Sequence, residues 1–175
     1  MNDLSWLERK IDYSRRYSST ELMQLCHDIS YDNVLNGGGP FGAIVTNGNG
    51  QIISVGVNRV IPNHDSTCHA EVMAIREAER KLQTHNLSAV SAILYTSCCP
   101  CYMCFGAVWW SGIKHICYDL TKQEAQKLGF QEGPTNSETW KLARQIKGII
   151  LEQIRCDIAI SWRAFEKFKE IGLLY

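Results

Sequence analysis

Between positions 68 and 104 the chain reads CHAEVMAIREAERKLQTHNLSAVSAILYTSCCPCYMC. Apolar residues recur at helical spacing in its first part, at Val72, Ile75 and Ala78, and predict a helix over 69–82. The apolar run 92–96 predicts a strand. Pro100 suits the first turn of a further helix that runs toward Trp110, because the N–H group that proline lacks would have no partner there. The stretch therefore predicts a helix, a strand and a second helix in succession.

Outside this stretch the same patterns predict alternating strands and helices. Two β-branched runs, 41–46 and 52–57, flank Asn47-Gly48-Asn49-Gly50, which is typical of a hairpin turn. Further strands are predicted over 113–118 and 149–152, and loops over 58–67 and 129–135. Helices are predicted twice within 4–35 and over 121–128, 137–146 and 157–170. This order predicts a layered α/β domain with a mixed sheet.

The composition is that of an ordinary globular protein. The 175 residues are enough for one domain, which we take to be 1–175, with a core over about 20–155. The 18 lysines and arginines balance the 18 aspartates and glutamates, which makes nucleic acid an unlikely partner. No apolar run is long enough to span a membrane, and Met1 to Lys10 lacks the apolar core of a secretion signal. A cytoplasmic protein is expected.

Eight cysteines in such a protein predict metal or catalytic chemistry, and four of them lie within 98–104. Cys101 and Cys104, spaced i and i+3, share one face of a helical first turn. His69, at the start of the other helix, supplies a third ligand. Zinc binds imidazole nitrogen and thiolate sulfur, and catalytic zinc sites use three protein ligands and a water whose pKa falls toward about 7.

Glu71 lies two residues after His69, close enough to reach that water without ligating the metal. H-x-E followed by P-C-x-x-C is the signature of zinc deaminases of nucleobases, and the chain carries both halves in order. Two alternatives remain open: a redox-active Cys-x-x-Cys pair, and a structural four-cysteine zinc site that uses Cys98 or Cys99. The cysteines outside the motif are interpreted as buried small apolar residues, at positions 26, 68, 98, 99, 117 and 156.

With these motifs the chain resembles the cytidine-deaminase-like superfamily, and within it the branch of guanine and amino-triazine deaminases. The resemblance covers about residues 20 to 155. It rests on Gly38-Gly39-Pro40-Phe41, Gly56-Val57-Asn58-Arg59-Val60, His69-Ala70-Glu71, Pro100 to Ala107, Trp110 to Ile113, and Gly129 to Pro134. The last motif, Gly129 to Pro134, occurs in a smaller set of relatives and resembles the guanine and triazine branch. One position departs from the pattern, because Cys99 stands where relatives usually carry a glutamate.

The resemblance implies a three-layer α/β/α sandwich around a mixed five-stranded sheet, one Zn²⁺ per subunit and a homodimer. It implies that Asn58, Ala70, Phe41 and Phe130 bind the substrate ring, and that Glu132 contacts the substrate and relays protons. Each of the larger side chains has a simpler interpretation: Asn58 shapes a turn, Glu132 is a solvated loop carboxylate, and the two phenylalanines belong to the core.

The reaction implied is hydrolytic deamination of guanine to xanthine and ammonia, a step of purine catabolism, with amino-triazines as possible further substrates. Glu71 would act as base and then as acid. Guanine presents N1–H and a 2-amino group as adjacent donors, which match a carboxylate such as Glu132. The alternatives are a tRNA adenosine deaminase, a nucleoside or cytosine deaminase, and a zinc-stabilised binding domain without activity.

Overall fold

A single mixed sheet organises the chain in the computed structural model, which describes residues 4–131, 133 and 138–172. Its strands are β1 (Gly42–Thr46), β2 (Ile52–Val57), β3 (Ile93–Cys98), β4 (His115–Leu120) and β5 (Ile150–Gln153). Its helices are α1 (Ser5–Glu8), α2 (Ser19–Leu35), α3 (Val60–Asn63), α4 (Ala70–Leu82), α5 (Tyr102–Ser111), α6 (Lys122–Lys127), α7 (Glu138–Lys147) and α8 (Ile158–Ile171).

The strand order is β2-β1-β3-β4-β5. β1 is antiparallel to both of its neighbours, whereas β3, β4 and β5 run parallel to one another. The predicted hairpin at 47–50 joins β1 to β2, and Asn47 Oδ1 accepts hydrogen bonds from the backbone amides of Asn49 and Gln51. The predicted mixed five-stranded sheet is confirmed.

Alternate residues of β1 face two different apolar clusters, as the pleat of a strand requires. Ala43 and Val45 pack in the cluster that contains Ala74 and Ile75 of α4. Ile44 packs in a second cluster with Leu22 and Met23 of α2, and other α2 residues. Helices therefore cover both faces of the sheet, and the predicted three-layer arrangement is confirmed. In the described part of the chain no helix is long and apolar enough to cross a membrane.

Helix α2 begins immediately after its N-cap residue, Ser18. The Ser18 hydroxyl accepts from the Glu21 amide, and the Glu21 carboxylate accepts from the Ser18 amide at 2.8 Å, which completes a capping box. Helix α3 was not predicted, because Pro62 and Asn63 favour a loop. Proline is tolerated in a helix this short, since its missing N–H falls within the first turn.

The boundaries of β4 and the burial of two cysteines also differ from expectation. The predicted strand 113–118 is displaced to His115–Leu120; Ile113 is buried in the core just before the ladder begins. Cys99 and Cys156 are half-buried rather than buried, whereas the four cysteines that are buried as expected are 26, 68, 98 and 117. All eight thiols are free of disulfides.

Candidate metal centre and active site

Two helix starts bring the predicted ligands together. His69 and Cys101 are the N-cap residues of α4 and α5, both with extended backbone, and neither side chain caps its own helix. Cys104 lies one turn into α5 and is fully buried. The His69 Nδ1 atom lies 3.7 Å from Cys101 Sγ and 3.6 Å from Cys104 Sγ, and the two sulfurs are 3.6 Å apart.

These spacings fit a tetrahedral zinc ion. Zinc–sulfur bonds of about 2.3 Å and zinc–nitrogen bonds of about 2.0 Å, at tetrahedral angles, separate two sulfurs by about 3.8 Å and a sulfur and a nitrogen by about 3.5 Å. The three observed distances agree with this within about 0.2 Å. One imidazole and two thiols are also the donor types of catalytic zinc sites that use three protein ligands.

The thiol chemistry favours a cation at the same point. The pKa of Cys101 is lowered to about 4 because the Cys104 thiol donates to it, with a smaller contribution from His69 against the opposing effect of burial. The pKa of Cys104 is raised, because it is the donor of that hydrogen bond and is buried. One thiolate is therefore already stabilised beside the imidazole, where a bound metal would replace the remaining thiol proton.

Glu71 lies in the first turn of α4, beside the three donors but outside the set whose donor atoms lie within 4.8 Å of one another. Its carboxyl is 7% exposed and interacts with the Cys104 thiol. Burial raises the pKa of Glu71, and the nearby Cys101 charge adds to the effect. A carboxyl whose pKa lies above its ordinary value is better suited to exchange protons near neutral pH.

Gly56 of β2 allows α4 to approach the sheet this closely. A Cβ atom at position 56 would lie 2.3 Å from the Ala70 carbonyl oxygen and 2.4 Å from the Ala74 amide nitrogen. Ser54 lies two residues before Gly56 on β2, and its hydroxyl donates a hydrogen bond to the Ala74 carbonyl at 2.6 Å. The position of the helix that carries His69 and Glu71 is therefore set by β2.

Comparison with known proteins identifies this arrangement. Residues 16–120 match the model of the cytidine and deoxycytidylate deaminase zinc-binding region. The chain belongs to this family. Zinc as cofactor and the predicted enzyme class, a hydrolase of C–N bonds in cyclic amidines, are thereby confirmed.

Individual relatives in the family cover most of the chain. A guanine deaminase of Bacillus subtilis (strain 168) is 39% identical over 137 residues, which are 76% of this chain and 85% of that protein. The structure of a guanine deaminase from Nitrosomonas europaea superimposes with a TM-score of 0.77 at 32% identity, covering 89% of this chain and 86% of that one. A tRNA-specific adenosine deaminase of Buchnera aphidicola subsp. Schizaphis graminum is 37% identical over 108 residues, 62% of this chain and 70% of that protein.

The predicted substrate contacts lie partly within the core. Phe41 and Phe130 meet edge to face with centroids 5.4 Å apart, and each also packs against Phe165. Both rings are less than a tenth exposed, and Ala70 is fully buried. Asn58 is 1% exposed and its Oδ1 accepts from the Val60 amide at 3.3 Å, as the turn interpretation requires. Glu132 lies outside the described residues.

Two buried polar residues that the sequence did not single out hold the loop before β1 against Asn58. The Asn33 amide nitrogen donates to the carbonyls of Gly39 and Asn58 at 2.8 and 2.7 Å. Arg59, 4% exposed, donates to Asn33 Oδ1 at 3.0 Å, and burial lowers the pKa of its guanidinium. The sequence gives one indication of this role: Asn33 is polar although it lies on the buried face of α2.

Proposed function

We propose that the chain deaminates guanine to xanthine and ammonia. The observation that supports this most directly is the trio His69, Cys101 and Cys104 at zinc-ligand spacing with buried Glu71 beside it. The chain is similar to two guanine deaminases over most of their lengths. A 2-aminopurine base therefore fits both the chemistry of the site and the relatives that share it.

In this proposal one zinc ion per subunit is held by His69, Cys101 and Cys104. Zinc, when bound, supplies an attacking water of lowered pKa. Glu71 takes the first proton of that water and passes it to N3 of guanine while the water oxygen bonds to C2. It then moves the second proton to the amino nitrogen, the C2–N bond breaks, and ammonia leaves. One carboxylate thus acts as base and as acid, and the atoms balance as guanine plus water to xanthine plus ammonia.

The proposed substrate contacts are those that the family resemblance implies. Asn58 hydrogen-bonds the ring from the end of β2, and Ala70 lies beneath it at the start of α4. Phe41 and Phe130 form the apolar wall of the pocket. Glu132 accepts hydrogen bonds from the N1–H and 2-amino groups and relays protons. The firmly hydrogen-bonded loop around Asn33, Asn58 and Arg59 supports this arrangement, because it fixes the backbone on which Asn58 is carried.

The test is an ammonia-release screen of zinc-loaded protein against guanine, guanosine, adenine, cytosine, cytidine and the amino-triazine ammeline. We expect guanine to be converted at the highest kcat/KM, with ammeline as the next substrate. Turnover of cytosine without turnover of guanine would refute the substrate while leaving the deaminase chemistry intact. Absence of ammonia release from every base would instead support the zinc-stabilised binding domain.

The tRNA deaminase alternative requires a basic surface that can hold a splayed-out strand. Two of the three cations of α8 are engaged in ion pairs, Arg163 with Asp28 and Lys167 with Glu170, which argues against a basic surface on this helix. The similarity to a tRNA-specific adenosine deaminase favours this function. A salt-sensitive gel shift with tRNA, together with adenosine deamination in that tRNA, would establish it in place of guanine.

We also propose a homodimer built on α4 and α5. Trp110 is 80% exposed at the end of α5, next to a groove whose floor is formed by apolar side chains of both helices and whose lining also includes Arg76, Glu79 and His85. The apolar side chains are Val72, Ile75, Met103 and Ala107. An exposed indole beside an apolar groove is typical of an interface. Light scattering should give twice the chain mass, and Trp110→Lys should shift it to the monomer.

One domain over 1–175 and a cytoplasmic location remain our predictions.

A further inference from the structure

A second group of side chains that can bind a metal lies on β4 and β5, away from the deaminase centre. His115 and Cys117 alternate on β4 and therefore project from the same face. Glu152 of β5 is the register partner of Cys117. Cys117 packs with the α2 cluster, whereas Ile116 between the two packs with the α4 and α5 cluster. The group is thus on the face of the sheet opposite to that covered by α4.

The three donor atoms lie as close together as those of the deaminase centre. Cys117 Sγ is 3.6 Å from His115 Nε2 and 3.9 Å from Glu152 Oε2, and the nitrogen and the carboxylate oxygen are 2.8 Å apart. A tetrahedral zinc ion separates sulfur from nitrogen or oxygen by about 3.6 Å, and nitrogen from oxygen by about 3.4 Å. Two of the distances already match within about 0.3 Å. The third requires the carboxylate to withdraw by about 0.6 Å.

The three side chains differ in exposure: one is buried in the core and the other two reach the surface, as in a metal site that opens to solvent. Cys117 is 1% exposed, whereas the side chains of His115 and Glu152 are 30% and 53% exposed. The sulfur is therefore fixed by the core, and the exposed carboxylate can make the small movement once the metal replaces its hydrogen bond to His115 Nε2. Water can reach the remaining coordination position from the open side.

We propose that His115, Cys117 and Glu152 form a second binding site for a zinc-type divalent transition metal, separate from the deaminase centre. Imidazole, thiolate and carboxylate are the three ligand types that zinc uses in proteins. On binding, the Cys117 thiol loses its proton to solvent and the sulfur–metal bond replaces it, with no oxidation or reduction.

The proposal is tested by counting zinc in untagged, full-length protein after saturation with zinc chloride and passage through a desalting column. Elemental analysis should give about two zinc ions per chain for the wild type and about one for Cys117→Ser, because the deaminase centre keeps its own ion. Cys26→Ser, which removes another buried thiol on the same face, is the matched control and should retain about two. One ion in the wild type, or two in Cys117→Ser, would overturn the proposal.

Two substitutions at the surface keep the test decisive if Cys117→Ser does not fold. In a zinc titration, His115→Gln and Glu152→Gln should each weaken the binding of the second zinc ion by at least tenfold. The exposed His85→Gln should leave it unchanged. Guanine deamination should be the same in all three variants when only the first ion is bound, so a failure of this proposal is distinct from a failure of the proposed function. Unchanged zinc affinity in both His115→Gln and Glu152→Gln would contradict the site.

Discussion

Replacing Gly56 by alanine should separate the deaminase centre from the sheet that supports it. A methyl group at this position would lie 2.3 Å from the Ala70 carbonyl oxygen, and ordinary van der Waals contact begins at 3.4 Å. The atoms that it meets belong to the α4 backbone, which cannot rotate away as a flexible side chain would. The first turn of α4 must therefore recede from β2 by about 1 Å, and it carries His69 and Glu71 with it.

The effect should appear both in stability and in activity. Overpacking of this kind costs about 1–3 kcal/mol, which corresponds to a decrease of about 2–12 °C in the Tm of a chain of this length. A displacement of about 1 Å at catalytic groups lowers activity by about 10²-fold. We expect Gly56→Ala to show both losses in thermal unfolding and in kcat/KM for guanine, measured at equal zinc content.

The matched control is Gly106→Ala. Gly106 lies inside α5, and a Cβ atom there would have no neighbour within 4 Å among the described residues. Alanine is favoured over glycine in a helix by about 1 kcal/mol, so this variant should be as stable as the wild type or more so, with unchanged kcat/KM. Because Gly106 shares a face of α5 with Met103 and Trp110 of the proposed dimer interface, the two proteins are compared at the same oligomeric state. Wild-type kcat/KM in Gly56→Ala would refute the reasoning that β2 sets the position of the centre.

Three further predictions concern the metal, the loop and acid stability. In a Cys117→Ser background, which lacks the proposed second site, Cys101→Ser should abolish the zinc dependence of Tm, because the ion of the deaminase centre then loses one of its two thiolates; a Tm that still rises with zinc in this double variant would contradict the role of Cys101. Asn33→Ala should lower stability by about 1–3 kcal/mol in urea unfolding and raise KM, because Arg59 and two carbonyls lose their partner. An unchanged KM would refute the link to Asn58. Hydrogen bonding to Arg155 lowers the pKa of Glu124 to about 2, so its stabilisation is present above about pH 4.3 and is lost as pH falls toward 2. Glu124→Gln should therefore have a Tm that falls less between pH 5 and pH 2, and a wild-type slope would contradict this.

The deaminase centre could be predicted from the sequence because each half of its motif is local. His69 and Glu71 are separated by one residue, and Cys101 and Cys104 by one helical turn, so their relative placement follows from helix geometry. The strand and helix order also follows from local periodicity. Family resemblance then joins the two halves, and the fold brings their donor atoms within 3.7 Å of one another.

The features that the sequence did not predict depend on contacts between distant segments. Cys117 meets Glu152 only because β4 and β5 pair in one register, and a shift of one residue would point the carboxylate to the other face. Asn33 reaches Asn58 across 25 positions, through a loop whose path no local pattern defines. Phe41 and Phe130, which the resemblance places beside the substrate, prove to be packed with Phe165 of α8, a contact that periodicity cannot anticipate.

Buried Glu71 is expected to transfer protons beside a zinc ion held by three other side chains. Glu71→Gln preserves the shape of the side chain and removes its ability to take a proton. The decisive measurement is the kcat for ammonia release from guanine by this variant, alongside its zinc content. We expect the same zinc content as in the wild type, including the ion of the deaminase centre, and a kcat lower by at least about 10²- to 10⁴-fold. A zinc-loaded Glu71→Gln protein with a kcat near that of the wild type would contradict the mechanism.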